Sequence, residues 1–211
     1  MFYTVGRYVV TFVLWVFNGR YRVVGKENLP TTGNYIIVGP HRALWDMIYF
    51  AMMAWPKHFA FMAKKELFKN PILRWILVHA NAFSVDRENP GLSAIKTPVN
   101  ILKKTDLSLI MFPSGSRHSQ KLKGGSVVIA KTSGKPLVPV VYQGPLTLGE
   151  LFNPFKRGGV AIGVGEPISI DKKMKLNDDT TAAIDKQLTD AFKTLDTQLD
   201  PNFVYVDPKA K

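Results

Sequence analysis

The sequence contains no cysteine and only four histidines among its 211 residues, and acidic residues are much scarcer than basic ones. The absence of cysteine excludes disulfides, thiolate metal sites and cysteine nucleophiles, and it is compatible with a reducing compartment. Hydrophobic residues make up 46% of the chain and charged residues 21%. That composition predicts a folded domain with a substantial core rather than a disordered chain.

The shortage of acidic residues gives the chain a net charge of +12, and this charge is unevenly distributed. Residues 1–170 hold 21 Lys and Arg against 8 Asp and Glu, whereas residues 171–211 hold 7 against 8. The excess charge therefore belongs to the main body of the protein. Such a surface attracts nucleic acid, anionic lipid or an acidic carrier protein, and charge alone leaves all three open.

The N-terminus has an apolar, aromatic-rich run over residues 8–17, between Arg7 and Arg20. This run is shorter than the roughly 20 residues that a helix needs to cross a bilayer. An amphipathic helix on the core, a cleaved signal peptide and a shallow membrane helix are the three interpretations. No small-residue cleavage site follows the run, and aromatic residues flanked by arginine are typical of a membrane interface. We therefore predict a membrane-associating helical segment over residues 1–19.

Strand and helix patterns alternate along the rest of the chain, which predicts an α/β fold with a mostly parallel central sheet flanked by helices. The predicted strands are 21–26, 35–38, 59–63, 82–85, 107–112, 137–142 and 160–164. The predicted helices are 44–55, 64–78, 92–102 and a short helix around 127–130. The second has a break near Pro71, and the third has a kink or a late start because of Pro98. A last helix is capped by Asp178 or Asp179 and ends at Pro201. We predict a core domain over residues 20–170 and a C-terminal helix and tail, 171–211, packed on it.

His41 and Asp46 follow the buried strand at 35–38 and are five residues apart. In a continuous helix they would be separated by about 500°, or roughly 140° out of line, so direct pairing needs a turn between them. Gly39-Pro40 can supply that turn. Histidine titrates near neutrality and acts as a general base, and a carboxylate on its other nitrogen fixes the tautomer. The alternative is that Asp46 is a helix cap beside an exposed histidine.

Cationic residues follow three other predicted strands. Arg87 follows the strand at 82–85, Arg117 follows the strand at 107–112, and Lys64 ends the strand at 59–63. Arginine binds phosphate or carboxylate bidentately, and Gly115, between the hydroxyl residues Ser114 and Ser116, allows a close backbone approach to an anion. Each cation alone is also compatible with a surface ion pair or a solvated face. At the carboxyl ends of parallel strands they predict an anion site beside His41.

Four segments with this chemistry occur in the order and approximate spacing of the sequence blocks of a known family. They are His41-x-x-x-x-Asp46, Phe83-Ser84-Val85-Asp86-Arg87, Phe112-Pro113-Ser114-Gly115-Ser116-Arg117 and Val138-Pro139-Val140. Over about residues 20–170 the chain resembles the glycerolipid acyltransferases, and most closely the bacterial 1-acyl-glycerol-3-phosphate acyltransferases.

The resemblance implies a role for each matching residue. His41 would be the general base for the acceptor hydroxyl, and Asp46 would orient it. The hydroxyl would attack the thioester of an acyl carrier protein or coenzyme A directly. Arg87, Arg117 and Lys64 would hold the acceptor phosphate, with Ser114, Gly115 and Ser116 completing the substrate site.

The same resemblance implies the partners and the location of the protein. No metal and no cofactor beyond the acyl donor is expected. The expected partners are a lysophospholipid acceptor, the thioester donor and an anionic membrane surface, with no nucleic acid. The expected location is the cytoplasmic face of the cell membrane, as a peripheral or monotopic protein.

The sequence departs from the family pattern at three positions. Ser114 replaces the usual Glu, Ser116 replaces Thr, and Pro40 replaces the Asn that often precedes the histidine. The loss of a carboxylate at position 114 makes a different lysophospholipid or lipid precursor an alternative acceptor. Further alternatives are Ser114 or Ser116 as a nucleophile, a metal hydrolase built on His41 and Asp46, and a non-catalytic basic module that binds membranes or nucleic acid.

Overall fold

A computed structural model describes residues 2–86, 90–115, 122–153, 155 and 158–207. Its helices are α1 (Phe2–Asn18), α2 (Asp46–Met53), α3 (Pro71–His79), α4 (Ser93–Lys104), α5 (Gly125–Ser133), α6 (Leu148–Leu151) and α7 (Asp178–Leu199). Its strands are β1 (Arg22–Val24), β2 (Ile36–Val38), β3 (Phe59–Lys64), β4 (Ala82–Val85), β5 (Ser108–Met111), β6 (Leu137–Gln143) and β7 (Ala161–Val164). Short 3-10 helices span Lys26–Asn28 and Lys65–Lys69.

Within these described residues the strands form one seven-stranded sheet in the order β1-β7-β6-β2-β5-β3-β4. The five strands from β6 to β4 are mutually parallel. β7 runs antiparallel to β6, and β1 runs parallel to β7. The predicted α/β fold with a mostly parallel sheet is thereby confirmed.

Alternating side chains on the buried strands divide the core into two layers. Ile37 of β2 joins the layer that contains α2 and part of α1. Ile36 and Val38 join the opposite layer, which contains residues of α4, α5 and α7. β2 is therefore buried on both faces, as expected for a β-branched central strand of a parallel sheet.

α1 has one face on the core and another in solvent. Leu14 is buried in the layer with α2, and the Asn18 side chain donates to the carbonyl oxygen of Leu151 at 3.0 Å. Its exposed side chains are mostly apolar and include Tyr8, Val9, Phe12 and Trp15. None of the described helices is both long and apolar enough to span a membrane.

The structure corrects three helix boundaries. The helix predicted over 64–78 with a break near Pro71 is observed as a 3-10 helix over Lys65–Lys69 followed by α3, but its predicted start is wrong because Lys64 extends β3 by pairing with Val85. α3 begins only at Pro71, where the Asn70 side chain caps it by accepting from two backbone N–H groups at 3.0 Å. The late start predicted for α4 is also wrong, because that helix begins at Ser93 and runs through Pro98.

The third correction concerns the cap of the last helix. Asn177, rather than Asp178 or Asp179, caps α7, because its side chain accepts from Thr180 N at 2.8 Å in a reciprocal capping box. The two aspartates occupy the first turn instead, where a carboxylate interacts favourably with the helix dipole.

Candidate active site

The carboxyl ends of β2, β5, β3 and β4 lie side by side along one edge of the sheet. Neighbouring strands are about 4.8 Å apart, so this edge is roughly 14 Å long. His41 follows β2, Ser114 follows β5, and Lys64 is the last residue of β3. The predicted residues Arg87, Ser116 and Arg117 lie outside the described residues, and β4 ends two residues before Arg87.

His41 and Asp46 are in direct contact, with 2.9 Å between His41 Nδ1 and Asp46 Oδ2. Both side chains are buried, His41 at 7% exposure and Asp46 at 0%. Residues 39–45 are not helical, and α2 starts at Asp46 itself. The non-helical segment therefore removes the angular mismatch that a continuous helix would impose, and the predicted pairing is observed.

The Asp46 carboxylate accepts several hydrogen bonds besides that of the histidine. Its Oδ2 accepts from the backbone N–H groups of Arg42 at 2.8 Å and Ala43 at 3.1 Å, and its Oδ1 accepts from Met47 N at 2.7 Å. These donors, at the N-terminus of α2, hold the carboxylate in one orientation. An acceptor of this kind binds the protonated Nδ1 of the neutral imidazole, which leaves the lone pair of Nε2 available.

Phe112 connects His41 to the neighbouring strand. The two rings are stacked, with centroids 4.0 Å apart and planes inclined by 14°. Phe112 follows β5 immediately and precedes Pro113-Ser114-Gly115. The contact therefore brings the first and third sequence blocks together and restricts the orientation of the imidazole from one face.

The turn after β5 is tightly folded. Ser114 is buried at 3% exposure, and Gly115 has the positive φ of 70° that glycine adopts most readily. The Gly115 N–H donates to the carbonyl oxygen of Phe112 at 2.9 Å, so this amide already has an acceptor inside the turn. A Cβ on Gly115 would lie 3.7 Å from Lys123 Nζ. Lys123 is thus a cation at this turn that the sequence interpretation missed.

Lys64 lies at the predicted edge with its side chain half exposed. Its Nζ is 3.7 Å from Glu66 Oε2, which is a loose, partly solvated ion pair. Exposed pairs of this kind contribute little to stability.

Arg42 is a second residue that the sequence interpretation missed. Its guanidinium is buried, with Nη1 donating to the carbonyl oxygen of Tyr142 and to Asp196 Oδ1 at 2.8 Å each, and Nη2 donating to Asp196 Oδ2. The Gln143 side chain donates to the same carboxylate at 3.1 Å. This network attaches the residue next to His41 to β6 and α7. An arginine directly after the motif histidine was the available signal, but its partner is remote in sequence.

Trp45 fixes the segment that leads into α2. Its indole N–H lies 3.0 Å from the Tyr142 hydroxyl and 2.9 Å from the carbonyl oxygen of Pro145. Burial raises the pKa of Tyr142 far above its usual value. Tyr142 therefore stays protonated, and its hydroxyl donates to Pro145 at 3.1 Å.

A cavity of about 450 Å³ lies between α1 and α2. Its wall is mainly aromatic and aliphatic and includes Phe12, Trp15, Tyr21 and Met52. Thr11 Oγ1 and the Tyr49 hydroxyl belong to lining residues, are buried and have no hydrogen-bond partner among the described residues. Because Tyr49 is three residues after Asp46 on α2, the cavity adjoins the helix that carries the carboxylate.

The sequence matches the model of a family described as Acyltransferase over residues 20–143, more than half of the chain. The chain belongs to the acyltransferase family. A 1-acyl-sn-glycerol-3-phosphate acyltransferase of Streptococcus pneumoniae is 46% identical over 199 residues, which cover 94% of this chain and 74% of that protein. A protein of the same name from Bacillus subtilis is 39% identical over 191 residues, which cover 89% of this chain and 94% of that protein.

The fold of this acyltransferase is also found in a solved structure, the crystal structure of the 1-acyl-sn-glycerophosphate (LPA) acyltransferase PlsC from Thermotoga maritima. The TM-score is 0.66 at 24% identity, over 94% of this chain and 82% of that one. The family model and the two bacterial relatives show that the protein is an enzyme of the acyltransferase class.

Proposed function

We propose that this acyltransferase moves a fatty acyl group from a thioester donor to the free hydroxyl of 1-acyl-glycerol-3-phosphate, giving phosphatidic acid. The observation that carries the proposal is the buried His41–Asp46 pair, at the sheet edge where Lys64 also lies. The names of the two bacterial relatives support the same acceptor.

In the proposed reaction His41 is the general base. Nε2 takes the proton of the acceptor hydroxyl as its oxygen attacks the thioester carbonyl carbon, and Asp46 stabilises the imidazolium that forms. Collapse of the tetrahedral intermediate breaks the carbon–sulfur bond. The proton on Nε2 then goes to the departing thiolate, so the enzyme returns to its starting state without an acyl-enzyme.

The acceptor phosphate lies, in this proposal, along the edge from β5 towards β4. Lys64 is at that edge and Lys123 is at the turn beside Gly115. In the sequence, Arg87 comes two residues after β4 and Arg117 six residues after β5. Cations along this edge would hold the phosphate of the acceptor while its glycerol hydroxyl reaches the imidazole of His41. Ser114 and Ser116 would contribute hydroxyl groups.

The enzyme works, we propose, at the cytoplasmic surface of an anionic membrane. The exposed apolar face of α1 would lie in the interface, and the cavity between α1 and α2 offers apolar space for an acyl chain. The net charge of +12 favours both anionic lipid and an acidic carrier protein as partners.

An acyl-transfer assay with detergent-dispersed acceptors tests the proposal. The purified enzyme is given a panel of lysophospholipids with acyl carrier protein and coenzyme A thioesters in turn, and it is compared with His41→Ala and a control, His79→Ala. We expect turnover with the phosphate monoester acceptor, loss of turnover in His41→Ala, and near wild-type turnover in His79→Ala, whose histidine is exposed on α3. Full activity of a folded His41→Ala enzyme would refute the mechanism.

The same panel decides the acceptor. If a lysophospholipid with an esterified phosphate is acylated faster than the monoester, the enzyme has a different acceptor specificity, as the presence of Ser114 in place of Glu suggests. If every acceptor is refused by folded protein, the proposed acceptor class is wrong. Denatured enzyme from a single turnover should carry no acyl group, whereas a trapped ester on Ser114 or Ser116 would establish the nucleophilic alternative.

A further inference from the structure

The outer face of α3 is apolar in a position where a soluble helix is expected to be polar. Ile72 is 73% exposed, Trp75 53%, Ile76 43% and Val78 52%, and no residue of α3 is buried. The inner face carries Leu73 and Leu77, which are only partly exposed. A helix that is apolar on both faces is suited to a second apolar environment outside the protein.

The exposed apolar residues continue into the preceding turn and are interspersed with cations. Leu67 is 42% exposed, and Lys65 and Lys69 on either side of it are exposed as well. Arg74 is the one charged residue within α3, and it too is exposed. Tryptophan, branched aliphatic residues and basic side chains together are typical of a surface that lies at the head groups of anionic lipid.

α3 lies on the same face of the sheet as α1. The connections from β2 to β3 and from β3 to β4 both move in the same direction along the sheet. Crossovers between parallel strands are right-handed almost without exception, so α2 and α3 lie on one face. α1 packs against the core layer of that face, where Leu14 and Tyr49 belong to one cluster.

We infer that the outer surface of α3 and its preceding turn, residues 65–79, is a second membrane-contacting surface of this enzyme. It acts together with α1 and binds anionic bilayers. The inference rests on the proposed membrane location and specifies it further. Because the 3-10 turn begins directly after Lys64, insertion of this surface would also bring the cationic edge of the site to the level of the lipid phosphates.

Single-cysteine labelling tests the inference, since the chain has no cysteine of its own and each label is unique. An environment-sensitive fluorophore is placed at Ile76→Cys, at Val9→Cys on α1, and at Lys193→Cys on α7, which packs on the opposite face. Vesicles of phosphatidylglycerol and phosphatidylcholine are then added. We expect a blue shift, and quenching by brominated acyl chains, at positions 76 and 9 but not at 193.

The other outcomes separate this inference from the proposed function. A response at position 9 without one at 76 overturns the α3 surface and leaves the catalytic proposal intact. No response at either position overturns the α3 surface and the membrane location together, while the detergent assay still tests the chemistry. A blue shift at position 76 on addition of acidic carrier protein alone overturns the bilayer as the occupant.

A substitution pair adds a quantitative test. Ile76→Asp should weaken vesicle binding about tenfold, because it removes an inserting aliphatic group and adds a charge repelled by anionic lipid. Leu92→Asp, at an exposed leucine before α4 on the other face, should change binding less than about twofold. Both variants should keep their activity on detergent-dispersed acceptor. Equal weakening by the two substitutions would contradict a localised surface.

Discussion

Arg42 and Asp196, 154 residues apart in the sequence, form a bidentate ion pair in which the guanidinium is buried and the carboxylate is partly buried. Arg42 also donates its backbone N–H to Asp46, so one residue touches both the C-terminal helix and the carboxylate that binds His41. The guanidinium lies over the rings of Phe203 and Tyr205, at 4.9 and 5.7 Å from their centroids. The C-terminal segment thus contributes to the position of the turn that carries His41.

Asp196→Asn should destabilise the fold strongly. The change leaves the buried Arg42 guanidinium without its countercharge, and breaking a buried pair in this way costs about 3 kcal/mol. Chemical denaturation measures the loss. Asp190→Asn is the matched control, since it removes an exposed pair with Lys186 on the same helix and should have little effect. Equal losses of unfolding free energy in the two variants would show that the Arg42–Asp196 pair contributes no more than an exposed pair.

Asp46→Asn should reduce kcat much more than it changes KM. The amide presents one acceptor oxygen where the carboxylate presents two, and it no longer stabilises the imidazolium of His41. A loss of about ten-thousandfold is expected, as in other His–Asp pairs whose carboxylate is replaced by an amide. Steady-state kinetics with detergent-dispersed acceptor measure it, beside circular dichroism to establish that the variant folds. Retention of most of kcat would exclude the proposed role of Asp46.

Ser114→Glu restores the carboxylate that the resembling family usually has at this position, so it should lower KM for the phosphate monoester acceptor a few-fold relative to Ser114→Gln, because a carboxylate there can orient a neighbouring cation such as Lys123. Ser114→Gln is the control for the longer side chain at this buried position. The two variants should therefore differ from each other, and their difference should shrink at high salt. The same KM in both would mean that volume, not charge, limits the acceptor at this position.

Asn177→Ala should lower the free energy of unfolding by about 1 kcal/mol, because it removes the side-chain cap of α7. Catalysis should be unaffected at temperatures where the variant is folded. Thermal melting compares it with Asp179→Ala, which removes a first-turn charge but no cap. A larger shift in the Asp179 variant would contradict the assignment of the cap.

The sequence was most informative where the determining interactions are local. The His41–Asp46 pairing could be predicted because a strand end and a helix start lie within eight residues of each other. The sheet edge could be predicted because β-branched runs mark the parallel strands, and their carboxyl ends meet by topology.

The remaining features depend on contacts that the chain makes at a distance. Lys64 has the propensity of a helix residue, and pairing with β4 overrides it. Lys123 reaches Gly115 through a fold of the chain that no periodicity reveals. The packing of α7 on β6 brings Asp196 to Arg42. Local sequence patterns do not encode such a contact.

The pairing of β1 with β7 has a consequence for the order in which the protein assembles. Among the described strands, β1 has β7 as its single neighbour, so β1 stays unpaired until residues 161–164 have left the ribosome. Up to that point α1 is connected to a segment without a strand partner, while the five central strands can already associate. The N-terminal helix is therefore not fixed through β1 until the last strand of the sheet has been made.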